Sequence, residues 1–598
     1  MPPRSPWSVA VSSLALLVPL LPLGPLPGPW PAEPRSVAEA APAELVGSEY
    51  VVAFDPAQPA AYVDRTVTEA GGRVLDVNRA LGVALVHSDD RSFLADVRAA
   101  DGVRGAAYNQ AVGTSHLGMP HRYASERPRR SGSGSTPGPV SGPAPGTAPG
   151  PPASETRSEE VSRPVAAVAD EPLAGRQWNL AMIGATAGQA HRRVTGAGVD
   201  VGIIDTGIDG RHPDIAPNFD PGRSWNFVTD EPALDGPCEV PSCVDPPDVD
   251  DQGHGTHVAG IVAAARNGLG VSGVAPNARL VSLRAGQDSG YFFLYETASA
   301  LVAAGDLGLD VVNMSFYTDP WLYNCTSRDE YVAGSVTSEE LAQQRLTRQV
   351  IGDALEYAHD HGVTLVAAAG NEHTDLAAPQ RFDPFVPSDR PGGPPRTRIV
   401  RNSCLNMPGE GPHVVSVGAV GPSGRKADYS DWGYPRLALV APGGWFGDRI
   451  RTPSYQRPDN LILSAYPLDA AIAQGLAHRD GRPVDAFSAR SCDASGRVCG
   501  FYTSLQGSSM ASPHVVGVAA LIIQRYGRGS PATGYSLPPD QVATLLARTA
   551  TDHPCPASGA ESYAPEGRGP EWTARCTGPA AVNEVYGEGI VSAAPLAR

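Results

Sequence analysis

From Val199 to Val420 the chain repeats one unit, a short apolar run, a polar turn, and often a longer stretch with helical spacing. Val199–Ile204, Leu280–Arg284, Val311–Ser315, Val363–Ala369 and Val414–Val420 read as strands buried on both faces. Tyr295–Gly305 and Glu339–His361 read as helices between them. Buried strands separated by helices close as an α/β fold, a doubly wound, mainly parallel sheet with helices on both faces. Such a sheet presents its functional groups at the carboxyl ends of its strands. Two polar segments fall there, Asp205-Thr206-Gly207-Ile208-Asp209 and Gly370-Asn371-Glu372. Taken singly, each is the composition of an ordinary turn.

Two further segments give those turns weight. Gly507-Ser508-Ser509-Met510-Ala511-Ser512-Pro513-His514 lies between an extended stretch, Phe501–Gln506, and the apolar run Val515–Ile523. This is a strand, a tight small-residue turn and a buried helix with Ser509 at its start. A serine there caps the helix; beside a base, the same hydroxyl is a nucleophile next to free backbone amides. Pro513 suits a first helical turn, where its missing N–H costs nothing. Gly253-His254-Gly255-Thr256-His257 precedes an Ala-rich helical stretch. Its histidines are three apart and lack the acid of an HExxH zinc motif, so they do not read as metal ligands. Asp205, His254 and Ser509 therefore follow one another as acid, base and nucleophile.

Ahead of the α/β region, residues 1–40 carry Arg4, an apolar stretch from Val9 to Leu26 and Ala38-Glu39-Ala40, the layout of a secretory signal peptide. Pro19, Pro22, Pro25 and Pro27 interrupt that stretch, so no stable membrane anchor is expected. Residues 48–112 alternate as a small βαββαβ unit, α+β and ferredoxin-like. Residues 113–171 have the Pro, Gly and Ser density of a linker, with a cleavable-looking pair at Arg129-Arg130, and residues 172–598 hold the α/β pattern. A net charge of -17 excludes nucleic acid as a partner. Eight cysteines in an exported chain point to pairing. The shortest closures join Cys238 to Cys243, Cys492 to Cys499 and Cys555 to Cys576, leaving Cys325 for Cys404. The acidic run Asp245, Asp248, Asp250, Asp251 reads as a solvated loop.

Together, Asp205-Thr206-Gly207, His254-Gly255-Thr256-His257-Val258-Ala259-Gly260, Ala368-Ala369-Gly370-Asn371 and Gly507–His514 resemble the four signature segments of the subtilisin-like serine proteases, the subtilases. Tyr586–Ala593 is similar to the family's closing segment, and the small unit before the linker resembles its inhibitory propeptide. The resemblance implies a secreted serine endopeptidase with Asp205, His254 and Ser509 as triad and Asn371 as oxyanion donor. It implies a protein or peptide substrate held between Ser315-Phe316-Tyr317 and the stretch from Ala285 to Tyr291, and a propeptide acting as intramolecular inhibitor of a monomeric zymogen. Tyr317 stands where relatives usually have glycine, and a cysteine-bearing insertion follows it. It also implies a structural calcium ion held by Asp214 and Asn267 side chains, by carbonyls of Ala265, Leu269 and Val271, and by Gln177. The competing readings are a catalytically silent binding protein on the same fold and a maturation protease with one partner substrate.

Overall fold

The computed structural model describes residues 48–109, 171–232, 234–318, 321–383 and 398–598. The signal-peptide segment and Arg129-Arg130 lie outside these residues, as does the linker up to residue 170. Seven strands form the central sheet, in the spatial order Leu439–Pro442, Val414–Val420, Thr364–Ala368, Val311–Met314, Asp200–Asp205, Arg279–Arg284, Trp225–Asn226. Every pairing in it is parallel. The chain enters at Asp200–Asp205, builds outward to one side, then returns to build the other. That reversal opens the crevice in which such sheets place their sites.

Side-chain alternation along the strands divides the core in two. Val201, Ile203, Val311 and Val366 face the helices His254–Ala263 and Ser508–Tyr526. Ile204, Val312, Met314 and Leu365 face Leu294–Asp306 and Ser338–Asp360 on the other side. In the helix Ser508–Tyr526 every residue from Met510 to Ile523 is buried, which explains why its sequence has no polar stripe.

The small unit forms a four-stranded antiparallel sheet ordered Arg73–Asn78, Val83–Ser88, Ser48–Phe54, Val103–Tyr108, with helices Ala60–Glu69 and Phe93–Ala99. Both sheet faces are covered. Tyr50, Val52, Phe54 and Val86 pack on the unit's own helices. Val51, Ala53, Val83 and Ala107 join the core under Leu294–Asp306 and Ser338–Asp360. Arg98 adds a two-pronged bond to Glu339 at 2.6 and 2.7 Å, and Arg104 reaches Asp353 at 2.8 Å. The strand Val83–Ser88 starts just after Gly82, which turns in the left-handed region, φ 66°, with no room for a Cβ against Phe54 O.

All four disulfides join the cysteines as their spacing suggested. Cys325–Cys404 pins the insertion after Tyr317, which carries a sheet of its own, Gln380–Asp383, Arg398–Arg401 and Tyr331–Ala333. Among the described residues no helix is long and apolar enough to cross a membrane.

Candidate active site

Asp205 ends its strand and His254 begins a helix, and the two meet with His254 Nδ1 2.7 Å from Asp205 Oδ1. Both side chains are buried, 0% and 1% exposed. The approach requires glycine, since a Cβ on Gly255 would lie 2.1 Å from the Gly207 carbonyl oxygen. Burial alone would depress the imidazole, but the charge and hydrogen bond of Asp205, helped by Asp250, hold its pKa above the ordinary 6.5. Asp250 braces the pair from behind. Its Oδ1 accepts from Thr206 Oγ1 at 3.0 Å and from the Gly253 amide at 2.8 Å, and its Oδ2 from the Thr256 amide and hydroxyl at 2.8 and 2.6 Å.

His257, the second histidine of the motif, is structural. Its Nε2 lies 3.1 Å from the carbonyl oxygens of both Ile462 and Thr503, tying the helix to two strands. Burial, and then the neighbouring His254, push it down to about 3, so it stays neutral.

Ser509 stands in the first turn of the helix Ser508–Tyr526 and is half-buried. Its hydroxyl donates to the Ser315 carbonyl at 3.1 Å, and Ser315 Oγ donates to the Ser509 carbonyl at 2.9 Å. Asn371 is tied to the same helix start, its Oδ1 accepting from the Ser508 amide at 2.8 Å and hydroxyl at 2.9 Å. That leaves Nδ2 available to donate. A methyl group built on Gly507 would sit 3.6 Å from Ser509 N and 3.8 Å from Asn371 Nδ2, so these two donors border one space that glycine keeps open. Beneath the loop, Glu372 Oε2 accepts from the Asn371 amide at 2.8 Å, and Asp431 Oδ1 accepts from the Glu372 amide at 3.1 Å. Burial raises both carboxyls, Glu372 to about 7 with the charge of Asp383 adding to it, and Asp431 well above its ordinary range with the charge of Glu372 adding to it.

The five residues expected along the substrate continue the two strands that flank the Asp205 strand. Ser315, Phe316 and Tyr317 leave Val311–Met314, and Ala285 leaves Arg279–Arg284 with its amide donating to the Asp205 carbonyl at 3.0 Å. The second segment folds back as a hairpin, Gln287 N–H donating to Tyr291 O at 2.8 Å. Phe292 then stacks on Phe316 with centroids 3.9 Å apart, and both rings are buried. Tyr291 and Tyr317 remain half-buried at the rim.

The acidic run departs from expectation. Asp245 and Asp250 are each only 3% exposed. For Asp245 the cause is Arg284, a wholly buried guanidinium delivered by the neighbouring strand, which bonds Asp245 at 2.6 Å, Asp230 at 3.0 Å and Asp288 at 2.9 Å; Asp250 is held instead by Thr206, Gly253 and Thr256. Nothing in the linear spacing of Asp245 to Asp251 announces an arginine arriving from another strand.

The residues expected around calcium form one connected cluster. Asp214 Oδ2 accepts from Tyr502 OH at 2.9 Å and Val271 N–H at 3.0 Å, Oδ1 from Asn267 Nδ2 at 3.2 Å, and the Asp214 carbonyl from the Ala265 amide at 2.7 Å. Asn267 Oδ1 accepts from the Leu269 amide at 2.9 Å, and Gln177 Oε1 from the Ser272 amide at 3.0 Å.

A family model described as Subtilase family matches residues 196–589. The chain is 28% identical over 388 residues to fervidolysin from Fervidobacterium pennivorans, a match spanning 64% of this chain and 41% of that protein. It is 29% identical over 361 residues to subtilisin DY from Bacillus licheniformis, spanning 60% of this chain and 85% of that one. Among solved structures, the epidermin leader peptide processing serine protease from Staphylococcus aureus shares the fold at 17% identity and a TM-score of 0.56, covering 92% of this chain and 97% of that chain. The matched span takes in the whole parallel sheet and every one of the four segments at its edge, and the chain belongs to the Subtilase family, the subtilisin-like serine proteases.

Proposed function

We propose that the protein is a secreted serine endopeptidase, made as a self-inhibited zymogen, that cleaves peptide bonds through an acyl-enzyme on Ser509. The observation that carries this is the buried Asp205–His254 pair, joined at 2.7 Å, on the same sheet edge as a serine at a helix start. Ser509 turns from the Ser315 carbonyl toward His254, which takes its proton as Oγ bonds to the substrate carbonyl carbon. Asp205 holds the imidazole in the needed tautomer and stabilises the imidazolium. The carbonyl oxygen, now anionic, accepts from Ser509 N–H and Asn371 Nδ2. His254 returns its proton to the leaving amine as the C–N bond breaks, and water then releases the acyl group by the same steps in reverse. Substrate backbone lies as a strand between the Ser315–Tyr317 and Ala285–Tyr291 edges.

An active-site fluorophosphonate tests this reading. The mature protein takes the label and Ser509→Ala does not; no label on either overturns it in favour of a silent binding protein, and equal labelling of the two removes Ser509 as the nucleophile. Tyr317 and the disulfide-pinned insertion support a second reading, a narrow maturation protease, which cleavage of a mixed peptide library separates from broad cutting. The arrangement of residues 48–109 over the peptidase helices supports their role as inhibitor.

Calcium fits the Asp214 cluster. Among the described residues the carbonyls of Ala265, Leu269 and Val271 accept no hydrogen bond, and oxygen-only donors of this kind suit a hard cation. Burial pushes the Asp214 carboxyl up to about 7, a strain that a bound cation relieves. Asp214, Asn267, Ala265, Leu269, Val271 and Gln177 would hold the ion, whose part is structural.

A further inference from the structure

Behind Asn371 the turn formed by residues 370–374 wraps around the side chain of Asp431. Asp431 Oδ1 accepts from the amides of Glu372 at 3.1 Å and Thr374 at 2.7 Å, and the Asp431 amide donates to the Gly370 carbonyl at 3.1 Å. Glu372 turns back on the same loop, its Oε2 accepting from the Asn371 amide at 2.8 Å. A Cβ on Gly370 would collide with Asp431 Oδ2 and lie 2.9 Å from Glu372 Oε2, so the two carboxyls face one gap that this glycine keeps open.

Two acids so placed resist ionising together. Asp431 is 1% exposed, and its Oδ2 is buried without a donor. A bare oxygen there lacks a hydrogen bond; a protonated one supplies its own, donated across the gap to Glu372. The groups facing the pair do little to offset its charge. Asp383, on the strand Gln380–Asp383, adds to the negative field at Glu372. Lys426 favours the Asp431 anion, but burial pushes its own ammonium down to about 7. Arg381 is committed to Glu410 by two bonds, at 2.5 and 2.7 Å. Tyr323 is wholly buried and stays neutral, and His373, next in the turn, is pushed down to about 3 by burial and then by Lys426. Burial thus holds both carboxyls above their ordinary range.

We propose that Glu372 and Asp431 share a proton, and that the protonated pair positions Asn371 for the oxyanion. The inference rests on the protease reading of the site. When the last proton leaves, two anions confront each other across the gap. Glu372, half-buried, is the one with a path to water, and as it turns out it releases the Asn371 amide. A misplacement of about 1 Å at such a group costs on the order of a hundredfold in rate. Turnover suffers and ground-state binding does not, because the oxyanion exists only after attack.

The test follows kcat and KM against pH on a peptide substrate for the mature enzyme, Asp431→Ala and Asp431→Asn. Asparagine reproduces the protonated acid, Oδ1 accepting the two amides and Nδ2 donating to Glu372. The unaltered enzyme loses kcat on the alkaline side with KM little changed. Asp431→Ala lowers kcat by about tenfold or more across the range. Asp431→Asn restores most of that loss and removes the alkaline fall, which a merely structural role would not do. An asparagine variant as impaired as the alanine one, or one that keeps the alkaline fall, overturns the pair. Infrared spectra of the inert Ser509→Ala chain give a readout free of turnover: at neutral pH, adding Asp431→Asn removes one protonated-carboxyl band. An unchanged band overturns the shared proton. Loss of the band in an unaltered enzyme that hydrolyses nothing supports the pair and counts against the protease reading alone.

Discussion

The Asp205 carboxylate and the His254 imidazole lie 2.7 Å apart in surroundings almost closed to water. The charge of Asp205 outweighs the cost of burial and holds the imidazolium above its ordinary 6.5. General base catalysis needs the neutral ring, so kcat/KM rises with pH through a one-proton step whose midpoint lies above 6.5. Asp205→Asn lowers kcat by about four orders of magnitude, the loss expected when the imidazole is held in the wrong tautomer. A midpoint at or below the ordinary histidine value contradicts the coupling.

Asn371 accepts from Ser508 through Oδ1, so its amide both braces the helix start and offers a donor. Asn371→Ala loses both functions and Asn371→Asp loses only the donor. Both raise the barrier by about 3 kcal/mol, roughly a hundredfold in kcat with KM little changed. If the aspartate variant keeps near-normal kcat in steady-state assays, Asn371 is a brace only.

Asn109 Nδ2 contacts both carboxyl oxygens of Glu296, at 3.2 and 3.3 Å, where the small unit meets the helix Leu294–Asp306. Burial, partly offset by Asn109 and reinforced by Glu49 and Glu231, pushes the Glu296 carboxyl up to about 8. Departure of the unit opens Glu296 to water, and its pKa falls back toward 4.5. The docked state thus holds a proton that the free enzyme gives up, and docking weakens as pH rises between 4.5 and about 8. Inhibition constants for residues 49–112 added in trans show that trend, and Glu296→Gln flattens it. A trend that survives Glu296→Gln places the proton elsewhere.

Asp214 gives the calcium proposal a sign that can be checked. With the ion removed, the folded state keeps a carboxyl whose pKa is near 7 against an ordinary 3.8, so it binds more protons than the unfolded chain. Stability then falls as pH rises from about 4 toward 7. Calcium cancels that fall. Thermal midpoints with chelator and with calcium therefore differ more at pH 8 than at pH 5, and equal midpoints at both would remove the site.

Much of the scaffold was legible because it rests on local pattern. Val414–Val420 was readable to the residue, since a buried parallel strand needs an unbroken apolar run. The four signature segments were readable because close contacts there demand small residues, as Gly255 against the Gly207 carbonyl illustrates. Contacts made between distant segments were not. Arg284 buries Asp245, Phe292 stacks on Phe316, and Asp250 braces Thr206 against the His254 helix, each through a partner tens of residues away. The Asp245 to Asp251 run was misjudged for that reason: exposure depends on what arrives from elsewhere, and composition does not record it. His257 gives a gentler case, where the lack of an accompanying acid argued against metal but could not foretell its bonds to Ile462 and Thr503.

The sheet of the small unit presents Val51, Ala53, Val83 and Ala107 to the peptidase helices, while its other face packs on the unit's own helices. A unit built this way is finished only while it is seated. Once detached, it exposes these apolar residues to water, and on the proposed zymogen reading the loosened chain becomes a peptide for the enzyme it had restrained. On that reading activation is a ratchet: the restraint is consumed as it lets go, and the path back to the dormant form is closed.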